Sequence, residues 1–175
     1  WRMNIHKLSK QDSCLIVQIN SSTNKSSLIE LRENYPKLLT QFINPGSILN
    51  LQHLIFAIKQ SYYAKKHNLL AAREFEVDLL MRISITDQIE KALTIAGISP
   101  KNKFYLIASV GKIKELTQIQ NWIIENLEYS TDININNYKK INKLHDIDLD
   151  KLNQSNIELD LLSYSAVKLV SRFSD

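Results

Sequence analysis

The chain is poor in glycine and cysteine. Its 175 residues contain only three glycines, Gly46, Gly97 and Gly111. They stand too far apart for a GxGxxG dinucleotide loop or a phosphate-cradling P-loop, both of which need clustered glycines to bring backbone N–H groups up to phosphate. The single cysteine, Cys14, excludes an internal disulfide framework and a CxxC metal pair, and reads as a small buried apolar residue. His6, His53, His67 and His145 are scattered, with none at the HxxxH or HExxH spacing of a zinc site. No run approaches the roughly 18 uncharged apolar residues of a membrane helix, and Trp1-Arg2-Met3-Asn4 lacks the apolar region of a signal peptide. The expectation is a soluble intracellular protein with no cofactor and no membrane contact, cytoplasmic and also nuclear if the host is eukaryotic.

What is present is enough apolar residue, 44% of the chain, to bury a core without staples. A single domain over 1–175 is expected on length. The net charge of +4 is unevenly spread. Between Asn34 and Arg73 there is no Asp or Glu, against Lys37, Lys59, Lys65, Lys66 and Arg73. From Glu128 to Asp160 the balance reverses, with seven acids against Lys139, Lys140, Lys143 and Lys151. The basic segment reads either as a surface that attracts phosphates or as an ordinary solvated face.

The stretch from Asn50 to Ile98 organises the rest. Leu51, Leu54, Ile55, Ile58 and Tyr62 recur at the spacing of one helix face, with Asn50 as N-cap. Leu79-Leu80-Met81-Arg82-Ile83-Ser84 is short and mostly apolar, and is read as a buried strand. Thr86 or Asp87 then caps a helix carrying Ile89, Leu93 and Ala96 on one face, with Gly97 expected in the left-handed position after its end and Pro100 blocking continuation.

Before this stretch, Leu15 to Ile19 reads as a strand, Leu28 to Tyr35 as a short helix stopped by Pro36, and Leu38 to Ile43 as a second strand closed by Asn44-Pro45-Gly46. After it, Phe104 to Ala108 has the strongest strand composition and is expected in the middle of the sheet. Ile113, Leu116, Gln120, Ile123 and Leu127 mark a helix over 112–127, with Trp122 off its line. Residues 131–155 are rich in Asn, Asp and Lys and read as a mobile insertion or a short helix between loops. Ser155 and Glu158 have the spacing of a capping box, ahead of a terminal helix carrying Leu159, Leu162, Ala166, Leu169, Val170 and Phe173, with Ile157, Leu161 and Val167 outside that stripe.

No catalytic constellation emerges. Ser84, Asp87 and His53 can be imagined as a hydrolytic trio, but no nucleophile elbow surrounds Ser84 and no glycines shape an oxyanion hole. Pairs such as Glu74 with Glu76, or Asp146 with Asp148, lie on polar connections where solvated charge is the default.

The central pattern is specific enough to resemble a family. Asn50-Leu51-Gln52-His53-Leu54 leading to Ala57-Ile58-Lys59-Gln60, then Leu79 to Ser84, then Gln88-Ile89-Glu90-Lys91-Ala92-Leu93 and Gly97-Ile98 resemble the kinase-binding subunit of the KEOPS complex, also described as the PRPK-binding protein family. The likeness covers about Leu38 to Ala108 well and the ends by element order. It implies an α/β (α+β) fold, a mainly antiparallel sheet of four or five strands covered by helices, with a C-terminal helix. It further implies a non-enzymatic subunit that binds and stimulates the small atypical KEOPS kinase/ATPase. Through the kinase it reaches the remaining KEOPS subunits, and it supports threonylcarbamoyl (t6A) modification of adenosine 37 in ANN-decoding tRNAs. Archaeal members also recruit tRNA by its 3′ CCA end.

Carried onto this sequence, the resemblance puts Arg82, Ser84 and Gln88, with His53 and Lys59 beside them, where a tRNA 3′ nucleotide could be held. It makes Ile89 and Leu93, with Leu161, Leu162 and Leu169 of the terminal helix, candidates for the kinase interface. Ile85 and Asp87 stand where archaeal members often have Gly and Arg. Two other readings stay open from the residues alone: an independent RNA-binding module using the Lys37–Arg73 segment, and an unrecognised enzyme with a pocket near Ser84 and His53.

Overall fold

The structure, a computed structural model, describes residues 4–22 and 25–137. The predicted terminal helix, with Leu161, Leu162 and Leu169, and most of the predicted insertion lie outside them. The chain forms two compact units: residues 1–44 with 98–133, and 45–97 with 134–175. The helical second unit is thus inserted, in chain order, between two strands of the first.

In the first unit, strands β1 (Asn4–Lys7), β2 (Asp12–Asn20), β3 (Leu39–Ile43), β4 (Phe104–Lys112) and β5 (Tyr129–Ser130) form one antiparallel sheet in the order β1-β2-β4-β3, with β5 also pairing β2. The β2–β4 ladder is the longest, running from Asp12 opposite Lys112 to Asn20 opposite Phe104. The expected central place of β4 holds. The register puts Leu15, Val17, Ile19, Tyr105, Ile107 and Phe42 on one face. There they share a core with Leu28 and Leu31 of α1 (Lys25–Asn34) and Leu116, Ile119, Ile123 and Leu127 from α5 (Ile113–Asn126) and its end. Cys14, Ile16, Leu106, Ala108 and Val110, on the opposite face, are buried too. Apolar runs rather than strict alternation are therefore what β2 and β4 require.

The α5 stripe is set differently from the spacing first read. Ile119 is buried and Ile113 is exposed, because the turn facing the sheet begins at Leu116. β1 and β5 are short and flank β2; their sequences carry no strand signal beyond what pairing with β2 supplies.

The second unit opens with a single 3-10 turn, Pro45–Ser47, and then α2 (Leu51–Lys66), α3 (Phe75–Ser84) and α4 (Ile89–Ala96). Asn50 caps α2 as its sequence position suggests, its Oδ1 accepting from the His53 N–H at 2.9 Å. Leu54, Ile55 and Ile58 are buried as expected. Asn137, at the start of the Asn-rich stretch, is anchored here: its side-chain amide donates to the Pro45 and Ile48 carbonyls at 2.9 and 2.7 Å, and its N–H donates to the Leu49 carbonyl.

One element is of the wrong kind in the sequence reading. The predicted strand Leu79 to Ser84 is the second half of helix α3. A helix enclosed on every side shows the same unbroken apolar run as a buried strand, and residues 78 to 85 are all buried. Signals one turn upstream decide the matter: Phe75 stands four residues before Leu79, the first turn is acidic at Glu76 and Asp78, and Asp78 pairs with Arg82 at i,i+4.

The helix ends also differ from expectation. The left-handed residue is Ile85 (φ 53°), which ends α3 with the Schellman-type bond from the Thr86 N–H to the Met81 carbonyl at 3.2 Å. Gly97 is extended, with φ −69°. Glycine serves there by close approach, since a Cβ would collide with the Leu93 carbonyl oxygen. Neither Thr86 nor Asp87 is the N-cap of α4; Gln88 is, without a side-chain cap bond, and the Thr86 hydroxyl instead accepts from the Gln88 N–H at 3.2 Å.

Candidate partner-binding surface

The helical unit is fastened around a buried carboxylate. Asp78 is fully buried and accepts four hydrogen bonds. They come from the Ser61 hydroxyl of α2 at 2.6 Å, the Ala71 N–H of the connecting segment at 2.7 Å, and the Arg82 Nε and Nη2 at 2.7 and 3.4 Å. Three consecutive stretches of chain therefore converge on one side chain. A buried ion needs such a set of donors, because its lost hydration is replaced only by hydrogen bonds of good geometry. Arg82 is the counter-ion and is itself only 9% exposed.

This arrangement tells where the residues singled out in the sequence come to lie. Arg82 faces Asp78. Ser84 is buried, its hydroxyl donating to the Ala92 carbonyl at 3.4 Å. His53 is buried, its Nδ1 accepting from the Leu49 N–H at 3.0 Å. Gln88 and Lys59 are exposed. The five residues thus divide into three that face inward and make structural bonds and two that face solvent. Asp87, the third member of the imagined hydrolytic trio, is half-buried. Among the described residues, no three His, Cys, Asp or Glu side chains gather as metal ligands would.

Ile89 and Leu93 are placed quite differently. They sit four residues apart on α4 and are 41% and 48% exposed. Ala92 and Ala96 are the residues this helix buries. Of the stripe Ile89, Leu93 and Ala96 read in the sequence, Ala96 is buried, whereas Ile89 and Leu93, the candidates for a kinase interface, are exposed. Small side chains let α4 lie close to α3, and the larger apolar pair is turned outward. Two branched side chains held side by side on a helix and left in water are a ready apolar contact for another protein.

Sequence reasoning passed over the exposed side of α2. Tyr63 is 63% exposed and lies against His67, ring centroids 4.1 Å apart. Lys66 Nζ sits 5.3 Å from the Tyr62 ring and Lys59 Nζ 5.8 Å from that of Phe56. The i, i+3, i+4, i+7 relation of Lys59, Tyr62, Tyr63 and Lys66 was readable in the sequence, and it assembles cations and aromatic rings along one helix. Of the other basic-segment residues, Lys65 is exposed on α2, Arg73 pairs with Glu74 at 3.5 Å, and Lys37 is exposed in the sheet unit.

Comparison with protein-family models matches residues 17–170 to one described as kinase binding protein CGI-121. Comparison with curated proteins gave no match.

Proposed function

The chain belongs to the CGI-121 family of kinase binding proteins, and from that premise we propose that it is a non-catalytic regulatory subunit that docks on a partner kinase and raises its activity. The family match carries this reading. The resemblance of the Asn50–Ile98 stretch to the KEOPS kinase-binding subunit makes the partner the small atypical KEOPS kinase/ATPase, and the pathway threonylcarbamoyl modification of tRNA. The exposed pair Ile89 and Leu93 supports α4 as part of the contact, because burying two such side chains supplies roughly 2–3 kcal/mol that solvent exposure otherwise withholds.

The test is binding of the purified chain to the cognate kinase by calorimetry, with kinase ATPase rate read in parallel. Binding and stimulation are expected. The double change Ile89→Asp with Leu93→Asp should weaken binding by about 30-fold or more while leaving the melting temperature of the free chain almost unmoved. A kinase that neither binds nor changes its ATPase rate sinks the proposal.

A second reading is favoured by one observation, the alternation of Lys59, Tyr63 and Lys66 on α2. Cations for phosphate and ring faces for bases are what single-stranded RNA binding uses. Under this reading the chain contacts RNA directly, and for a KEOPS subunit the RNA is tRNA. Each phosphate-contacting lysine removed would lower the salt slope by roughly one unit. Arg82, Ser84 and His53 then act only by holding the helices in place, and Lys59 and Gln88 are the members of the sequence-derived set available to a nucleotide.

A further inference from the structure

Proline follows a hydroxyl residue at one place in the chain. Pro36 comes after Tyr35 and Pro45 after Asn44, so Ser99-Pro100 is the sole Ser/Thr-Pro pair in the 175 residues. It lies in the sheet unit, in the turn that leads into β4, with Pro100, Lys101 and Lys103 exposed and Ser99 half-buried. The turn is closed by the Ser99 N–H donating to Asn102 Oδ1 at 2.7 Å and the Asn102 N–H donating to the Ser99 carbonyl at 2.9 Å. The Ser99 Oγ accepts from the Lys101 N–H at 3.3 Å. The Ser61 and Ser84 hydroxyls, by contrast, are buried and donate inward, to Asp78 and to the Ala92 carbonyl. Ser99 and Pro100 also line one cleft of about 350 Å³ with Lys25, the exposed first residue of α1.

We propose that Ser99 is a phosphorylation site for a proline-directed protein kinase, and that its phosphate is held between the turn and α1 by Lys101 and Lys25. In the transfer, the Ser99 Oγ forms a bond to the γ-phosphorus of ATP as the bond to the bridging β–γ oxygen breaks. ADP leaves, and the hydroxyl proton passes to the general base of that kinase. Proline selects the enzyme class for a physical reason. It has no N–H, so a substrate pocket that offers no acceptor at this position takes proline without penalty and leaves any other residue with an unpaired donor. The same ring disfavours the helical region for Ser99 and so keeps the acceptor residue in extended conformation. Once attached, a group of nearly two negative charges finds the Lys101 N–H already directed at Ser99 Oγ, and Lys25 across the cleft. The site uses no residue of α2 or α4, so it stands whether or not the kinase-docking reading does.

The test incubates the full chain with ATP and a recombinant mitogen-activated protein kinase, a short Ser-Pro peptide serving as control substrate, and locates phosphate by mass spectrometry. About one phosphate per chain is expected, on Ser99. Ser99→Ala should take up none, Ser99→Thr should still be modified, and Pro100→Ala should be modified about tenfold more slowly or worse. These changes lie on a surface turn, and unchanged thermal melting of each variant shows that the fold is kept. At low salt the phosphorylated chain should melt about 1–3 °C higher than the unmodified one, and Lys25→Glu should abolish that rise. A chain left unmodified while the control peptide is consumed, phosphate found elsewhere with Ser99 bare, or a rate unmoved by Pro100→Ala would overturn the assignment of the site. An equal rise in melting temperature in Lys25→Glu would overturn the seat of the phosphate against α1.

Discussion

The two units bury polar groups in different ways. In the sheet unit the interior is almost wholly apolar, and the buried polar contact between strands is a neutral one: the Thr40 and Ser109 hydroxyls, directly opposite in the β3–β4 register, 3.0 Å apart. In the helical unit the interior holds a complete ion pair, Asp78 with Arg82. The difference follows from where backbone hydrogen bonds go. Every strand of the sheet finds partners for its N–H and C=O groups on a neighbouring strand, so side chains are released to be apolar. The connection between α2 and α3 runs beside no strand: His67, Asn68 and Leu69 donate back to the end of α2, and the Ala71 N–H goes to a side-chain carboxylate. Asp78 supplies it, and the Ser61 hydroxyl and the Arg82 guanidinium complete the donors that replace the carboxylate's lost hydration.

That comparison can be broken most directly at its centre. Asp78→Ala takes the carboxylate away from the enclosed Arg82 and should lower stability by about 3–5 kcal/mol, read by urea unfolding. Replacing both partners by apolar residues, Asp78→Leu with Arg82→Met, should recover a large part of that loss. If the single and the double change cost the same, the ion pair is not what makes this position sensitive.

Ile85→Gly sharpens the contrast between backbone and packing. Relief of the left-handed conformation is worth about 1–2 kcal/mol, whereas removing a fully buried isoleucine costs roughly 2–5 and glycine loosens the unfolded chain by up to about 1 more. The net expectation is a loss of about 2 kcal/mol in the same unfolding experiment; a gain in stability would show that strain, not burial, dominates at this helix end. A smaller effect belongs to the sheet. Thr40→Val alone should cost about 1–2 kcal/mol, and Thr40→Val with Ser109→Ala less than that, because the second change removes the hydroxyl left without its partner. Equal costs would make the pair incidental to the sheet.

Much of this was legible before the fold. The cap at Asn50 could be read because capping is a local event between a side chain and an N–H three residues on. The strands β2, β3 and β4 could be read because a strand buried on both faces needs an unbroken run of apolar, often β-branched residues. The α4 pair was found by its spacing, but periodicity gives only the members of a stripe, whereas closeness to α3 decides that alanines go inward and the pair outward. Arg82 was noticed as a cation, and nothing local distinguished a ligand-facing arginine from one folded back on Asp78, although the i,i+4 interval was there to be seen.

By itself, then, the amino-acid order determined the mixed α and β character, the shortage of nucleotide and metal motifs, and the kinship with kinase-binding proteins, whose resemblance implied the antiparallel sheet. Those properties rest on composition, short-range spacing and a family-wide sequence pattern, all of which survive in an unfolded chain. Tertiary structure alone decided that 79–84 is helical, that Arg82, Ser84 and His53 turn inward, and that Tyr63 is exposed beside His67. Such outcomes depend on which distant residues compete for the same buried space, and that competition has no counterpart in any local window of sequence.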